Sequence, residues 1–191
     1  MALNIDLLFI MVDLDYFKRV NDEHGHPAGD KVLQQMGMIL KEATRDTDTV
    51  VRWGGEELLI VGRQVCRNDF TILAERIRSY VAEWVFDLGD GKTIRMTCSL
   101  GFMLYPFVPK LPTALGWERV VALADQCLYV AKRSGRNAWG GLCPSEDSDD
   151  TVAATAHPGN IADLIEDGTL IVQSSLPLGA VNDWRALLLP D

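Results

Sequence analysis

The sequence predicts an α+β domain of the ferredoxin-like kind, a central and mainly antiparallel sheet with helices on one of its faces. Three observations predict it. A continuous apolar run around one acid, residues 5–12, has the pattern of a strand buried on both faces. Amphipathic helical stretches alternate with strands along the next 130 or so residues. Two apolar runs flank Gly54-Gly55, a strong local signal for a tight hairpin. The resulting order is β-α-β-β-α-β with an added helix and edge strand, and right-handed crossovers put the first and third strands at the middle.

The first strand ends in Asp13-Leu14-Asp15, where carboxylates at i and i+2 share one side. That pair can hold a hard cation or simply end a strand in polar residues. Tyr16-Phe17-Lys18 follows, and the stretch from Asn21 to Asp30, with His24, His26 and two glycines, reads as a polar loop. His-x-His without a further soft ligand is weak evidence for a transition metal. Over residues 30–43, Val32, Leu33, Met36, Ile39, Leu40 and Ala43 recur at helical spacing, with Asp30 suited to the first turn.

The hairpin comes next, as strands 49–53 and 56–61. Glu56 and Glu57 after the turn would project to opposite faces of a strand, so that one meets a ligand while the other supports it. An acidic tip facing water is the plainer alternative. A second helix starts at Asn68 or Asp69 and runs to Trp84 with Phe70, Leu73, Ile77 and Val81 on one face. Gly89-Asp90-Gly91 turns the chain into a strand over residues 93–102, and Pro106, Pro109 and Pro112 mark a loop. The third helix, residues 117–132, turns Val120, Val121, Ala124, Leu128 and Ala131 inward. Ser134-Gly135 stops it, and a short strand ends near Leu142. In this topology Asp13, Asp15, Glu56 and Glu57 converge, and four acids at one sheet edge repel unless a cation neutralises them.

Composition narrows the function classes. The chain is 48% hydrophobic with net charge −9, and its longest apolar stretch, residues 7–12, is far short of a membrane span. No signal peptide is visible, and Cys66, Cys98, Cys127 and Cys143 lack zinc-ligand spacing, which together predict a reducing, cytoplasmic setting. Nine acids against Arg185 give residues 145–191 a charge of −8, leaving −1 for residues 1–144. With no basic stripe, a nucleic-acid polymer is not the expected partner.

Asp13-Leu-Asp-Tyr-Phe-Lys18, Asn21-Asp22, Gly25-His26, Gly29-Asp30, Arg52-Trp-Gly-Gly-Glu-Glu57 and Ala124-Asp125…Leu128-Tyr129…Ala131-Lys132…Gly135-Arg136-Asn137 together resemble the GGDEF family of diguanylate cyclases. The resemblance covers about residues 8–142, and its separate motifs occur in family order. It implies the palm fold of nucleotidyl cyclases and polymerases. It also implies an enzyme that condenses two GTP into cyclic di-GMP with loss of two pyrophosphates. By resemblance, Asp13 and Glu56 with the carbonyl of Leu14 bind Mg²⁺, for which Mn²⁺ can substitute. Tyr16, Phe17 and Lys18 match a turn whose N–H groups receive the β- and γ-phosphates, with Gly55 beside the substrate. Asn21 and Asp30 match the pair that reads guanine, and His26 a substrate contact. Lys132 and Arg136 match the clamp on the terminal phosphates. Glu56 or Glu57 helps to deprotonate the ribose 3′-OH, and the sequence does not decide which.

Arg45-Asp-Thr-Asp48 stands at the family's spacing for the R-x-x-D inhibitory product site, which Arg76 or Arg78 would join. The two-fold symmetric product implies a transient homodimer of half-sites. Leu58 replaces the motif's phenylalanine, and Glu56 its aspartate. The helix and Leu-Thr-x-Leu-x-Asn-Arg-Arg stretch that precede the first strand in the family have no counterpart, nor has a sensor domain, which suggests an excised fragment whose parent could be attached to a membrane. Residues 1–143 are expected to form the catalytic domain and residues 144–191 an acidic linker and extension, with a strand over 168–174. The competing function is a GTP- or cyclic di-GMP-binding regulatory module without turnover. The filled metal, base and phosphate positions disfavour it, and Asn21 and Asp30 disfavour an adenylyl cyclase-like enzyme.

Overall fold

A computed structural model describes residues 6–67 and 69–176. Ile5, Asn68 and the charged residues Asp183, Arg185 and Asp191 lie outside the described residues. Six strands form one sheet in the order β2-β3-β1-β6-β7-β8, built from β1 (Leu7–Leu14), β2 (Thr49–Gly54), β3 (Glu57–Arg63), β6 (Cys98–Tyr105), β7 (Trp139–Pro144) and β8 (Leu170–Ser174). All neighbours are antiparallel except β6 and β7. The first four strands, in the order β2-β3-β1-β6, carry the β-α-β-β-α-β topology that the sequence predicts.

Helices cover both faces of this sheet, not one. In β1, Leu8, Ile10 and Val12 pack with α1 (Phe17–His24), α2 (His26–Ala43) and α3 (Phe70–Glu83). Phe9 and Met11 point the other way, into a second cluster with α4 (Trp117–Arg133). A strand apolar at every position needs cover on both faces, because unburied Phe9 or Met11 would forgo roughly 25 cal/mol per Å² of apolar surface. The contact with α4 is close. A Cβ on Gly101 of β6 would lie 1.9 Å from the carbonyl oxygen of Ala124, so only glycine lets the helix approach.

Two further stretches differ from expectation. The stretch from Asn21 to Asp30 is helical, not a loop: α1 runs to His24, Gly25 turns with φ +83°, and α2 begins at His26 with Pro27 in its first turn. Polar composition misleads here because both helices are solvated along one side. The predicted strand over residues 93–102 is broken at Met96-Thr97. Lys92–Arg95 is β5, which pairs with β4 (Val85–Gly89) in a separate two-stranded sheet. Gln35 of α2 anchors that hairpin by donating to the Asp87 carbonyl (2.8 Å) and accepting from the Asp87 N–H (2.9 Å). The chain is diverted by Asp15, whose N–H and carboxylate pair with the Thr97 carbonyl (2.9 Å) and hydroxyl (2.6 Å).

Beyond β7, α5 (Asp150–Ala153) and α6 (Ile161–Glu166) bury Ala153, Ile161 and Leu164 in the α4 cluster, and β8 extends the sheet. Cys98 and Cys127 are buried, and all four cysteines are free. Among the described residues no helix is long and apolar enough to cross a membrane.

Candidate active site

The end of β1 and the start of β3 are neighbours, and the register sets Asp13 directly opposite Glu57, with Ser99 of β6 on its other side. Asp13 is only 4% exposed. Burial pushes its carboxyl up to about 6, and the nearby Glu56 and Glu57 push the same way, while the Lys132 ammonium pulls it down. Lys132, in the last turn of α4, sits with Nζ 2.7 Å from Asp13 Oδ2.

Asp15 does not join this group. Its oxygens accept from Ser99 Oγ (2.7 Å), Thr97 Oγ1 (2.6 Å) and the Asn137 N–H (2.9 Å), so the buried carboxylate is consumed in joining β1, β6 and the loop after α4. Three carboxylates converge here rather than four. The hairpin turn also falls one residue later than expected: Gly54 is the last residue of β2, and Gly55 and Glu56 form the turn, with Gly55 at φ +45°. Glu56 therefore lies outside strand alternation, and only Glu57 belongs to β3. Arg52 Nε donates to the Gly55 carbonyl (2.9 Å) and braces the turn. No heavy atom lies within 4 Å of where a Cβ on Gly55 would be, which leaves the backbone approachable.

Tyr16 adopts a left-handed conformation, φ +59°, that turns β1 into α1. Phe17 is buried in the core, whereas Tyr16 and Lys18 are exposed. The Arg136 guanidinium lies over the Tyr16 ring, 4.5 Å from its centroid, and Nη1 is 3.4 Å from the Tyr16 hydroxyl. Lys132 and Arg136 thus reach the site differently, one on Asp13 and one over the start of α1. Leu14 pairs with Cys98 at the end of β1, its side chain in the core.

Asn21 on α1 lies against Gly29 of α2, where a Cβ would come 2.0 Å from Asn21 Oδ1. Glycine is required for the amide to fit between the helices. His26 is the first residue of α2 and is exposed. Asp30, one turn later, lines a cavity of about 810 Å³ between α2 and the hairpin, with Leu33, Gln34, Arg52 and Leu58.

Arg45 and Asp48 border this cavity and a second one of about 220 Å³. Asp48 accepts from the N–H groups of Arg45 (2.9 Å) and Arg63 (3.0 Å), which fixes the turn before β2. Of the two arginines considered for this place, Arg76 lines the second cavity, while Arg78 is bound to Glu75 and Asn137. Arg63 also lines it. No local motif marks Arg63, and it is the pairing of β2 with β3 across the hairpin that brings it beside Asp48.

Asp13, Glu56 and Glu57 offer carboxylate oxygens, the ligand type that a hard divalent cation takes. Among the described residues no three His, Cys, Asp or Glu side chains form a metal cage.

The family model described as "Diguanylate cyclase, GGDEF domain" matches residues 3–138. The chain belongs to the GGDEF family of diguanylate cyclases. This GGDEF chain is 40% identical to diguanylate cyclase A of Treponema denticola over 131 residues, which are 69% of this chain and 34% of that protein. It therefore spans about a third of that relative's length. It superposes on the GGDEF domain of YfiN (TpbB) from Pseudomonas aeruginosa with a TM-score of 0.64 at 30% identity, covering 72% of this chain and 82% of that one. The GGDEF domain of DgcB from Caulobacter crescentus, in complex with c-di-GMP, gives a TM-score of 0.64 at 25% identity over 72% of this chain and 78% of that one.

Proposed function

We propose that this GGDEF domain condenses two molecules of GTP into cyclic di-GMP. The observation that carries the reading is the register pair Asp13–Glu57 with Glu56 in the adjoining turn, beside the left-handed entry to α1 and under two cations from the end of α4. The N–H groups at the start of α1 face no intrahelical acceptor and suit the β- and γ-phosphates. Arg136 and Lys132 neutralise the same phosphates, and Lys132 leaves Asp13 to do so. Asn21 and Asp30 accept and donate along the guanine edge, with His26 beside the substrate.

The ribose 3′-oxygen of one nucleotide attacks the α-phosphorus of the other. The new P–O bond replaces the bond to the β-phosphate, pyrophosphate leaves, and the hydroxyl proton passes to Glu56 or Glu57. Asp13, Glu56 and the Leu14 carbonyl would hold Mg²⁺, or Mn²⁺ in its place, which offsets the charge developing on the phosphate oxygens. Because each half-site supplies one nucleotide, two copies must meet face to face. GTP as substrate fits a cytoplasmic location.

Incubation with GTP and Mg²⁺ followed by product chromatography tests this. Cyclic di-GMP from GTP and none from ATP is the expected result, since a site that pairs with guanine donors leaves its own groups unpaired against adenine. Tight binding of GTP with no product would instead support the regulatory-module alternative.

We further propose that Arg45, Arg76 and Asp48 bind the product. The two cavities that meet at Arg45 bring arginines to one place, and no ion pair among the described residues holds Arg45, Arg63 or Arg76. Arg45→Ala is expected to weaken inhibition by cyclic di-GMP about tenfold or more and to leave the GTP KM unchanged. Unaltered inhibition would place product binding in the active site.

A further inference from the structure

Arg78 is drawn away from the arginine-lined cavity to a different task. Gly135, Arg136 and Asn137 all have left-handed backbones, with φ of 114°, 62° and 47°. Two of the three carry a Cβ, and such residues persist in this region only where their surroundings over-determine them. The determinants here are specific. The Arg136 N–H donates to the Ala131 carbonyl (3.1 Å), and the Asn137 N–H donates to Asp15 Oδ2 (2.9 Å). Arg78 Nη1 donates to Asn137 Oδ1 (2.8 Å), gripping the side chain of the residue whose backbone Asp15 holds.

Arg78 is itself fixed. Its Nε and Nη2 reach the two oxygens of Glu75 at 3.0 and 2.6 Å. Glu75 also accepts from Trp139 Nε1 (2.8 Å) and Ser79 Oγ (3.0 Å), and Arg78 above all holds its carboxyl down at about 2. The fork is thus pre-organised from α3 and β7 before it meets the loop.

We propose that Arg78 is a positioning residue for Arg136: through Asn137 it holds the loop after α4 in the left-handed form that puts the Arg136 guanidinium over Tyr16 at the start of α1. This rests on the reading above, in which that place receives the terminal phosphates of GTP. Loosening the loop spreads the guanidinium over many positions, and the ordering cost then falls on ligand binding. The loss is confined to ligands that carry β- and γ-phosphates.

Calorimetry with Mg²⁺ and two probes tests it: 3′-deoxy-GTP, which has no attacking hydroxyl, and GMP, which has no terminal phosphates. The wild-type chain should prefer the triphosphate. Arg78→Met is expected to lower its affinity about tenfold and to leave GMP within about twofold, while Arg78→Lys recovers part of the loss. In an Arg136→Ala background, Arg78→Met should have almost no further effect, because nothing remains to be positioned. Should Arg78→Met not fold, Asn137→Gly keeps the left-handed backbone, removes the acceptor and should show the same selective loss. Equal losses for both nucleotides, or a full loss persisting without Arg136, would overturn the inference. A wild-type chain that does not distinguish the two probes would overturn the phosphate reading itself, and with it this one.

Discussion

Asp13→Asn is expected to abolish turnover and to stabilise the fold at the same time. The carboxylate is almost fully buried between β3 and β6, and its pKa of about 6 lies above the ordinary value near 3.8. Between those two values the native chain binds more protons than the unfolded one, so stability falls as pH rises through the window from about 4 to 6. Above it the full penalty remains, on the order of 2–3 kcal/mol for a shift of roughly two pH units. Asparagine keeps the shape and removes the charge, which leaves Lys132 to turn to water. Thermal unfolding in chelator at pH 7.5 should show a higher Tm for the variant, with the difference shrinking toward pH 4. Cyclic di-GMP synthesis should vanish, because a neutral amide gives the cation no charge. A lower Tm would show that the Lys132 pair outweighs the desolvation, and retained synthesis would remove Asp13 from the metal site.

Dilution should produce the second large effect. In the proposed mechanism two copies of the chain bring their half-sites face to face. The active species is then set by mass action, and well below the dimer dissociation constant the rate per subunit falls in proportion to concentration. A hundredfold dilution is expected to lower specific activity by one to two orders of magnitude, while GTP affinity per subunit stays constant. Rate measurements over such a series, paired with sedimentation at the same concentrations, decide it. A flat specific activity from a monomer would exclude the two-half-site mechanism.

Local pattern and motif spacing made most of the architecture legible. The apolar run before Asp13, the periodicity of Val32 through Ala43 and of Val120 through Ala131, and the glycine hairpin each encode an element whose burial the structure reproduces. The strand order followed from crossover handedness, and the family from the order of its motifs. These are properties of neighbouring residues, and a sequence displays neighbours directly.

What the sequence left open depended on residues distant along the chain. Which of Arg76 and Arg78 lines the cavity at Arg45 turned on Glu75 and Asn137, the latter 59 positions from Arg78. Asp15 looked like a partner of Asp13 until Thr97, Ser99 and Asn137 claimed its oxygens. The helical stretch from Phe17 to Gly29 was hidden because polar side chains line its solvated side, and the fit of Asn21 against Gly29 is a contact that polarity does not show. The sequence by itself determined which chemical groups this domain carries and in what order. Only the tertiary structure decided which of them meet, because hydrogen bonding and desolvation depend on separation in space, and folding sets that separation independently of separation along the chain.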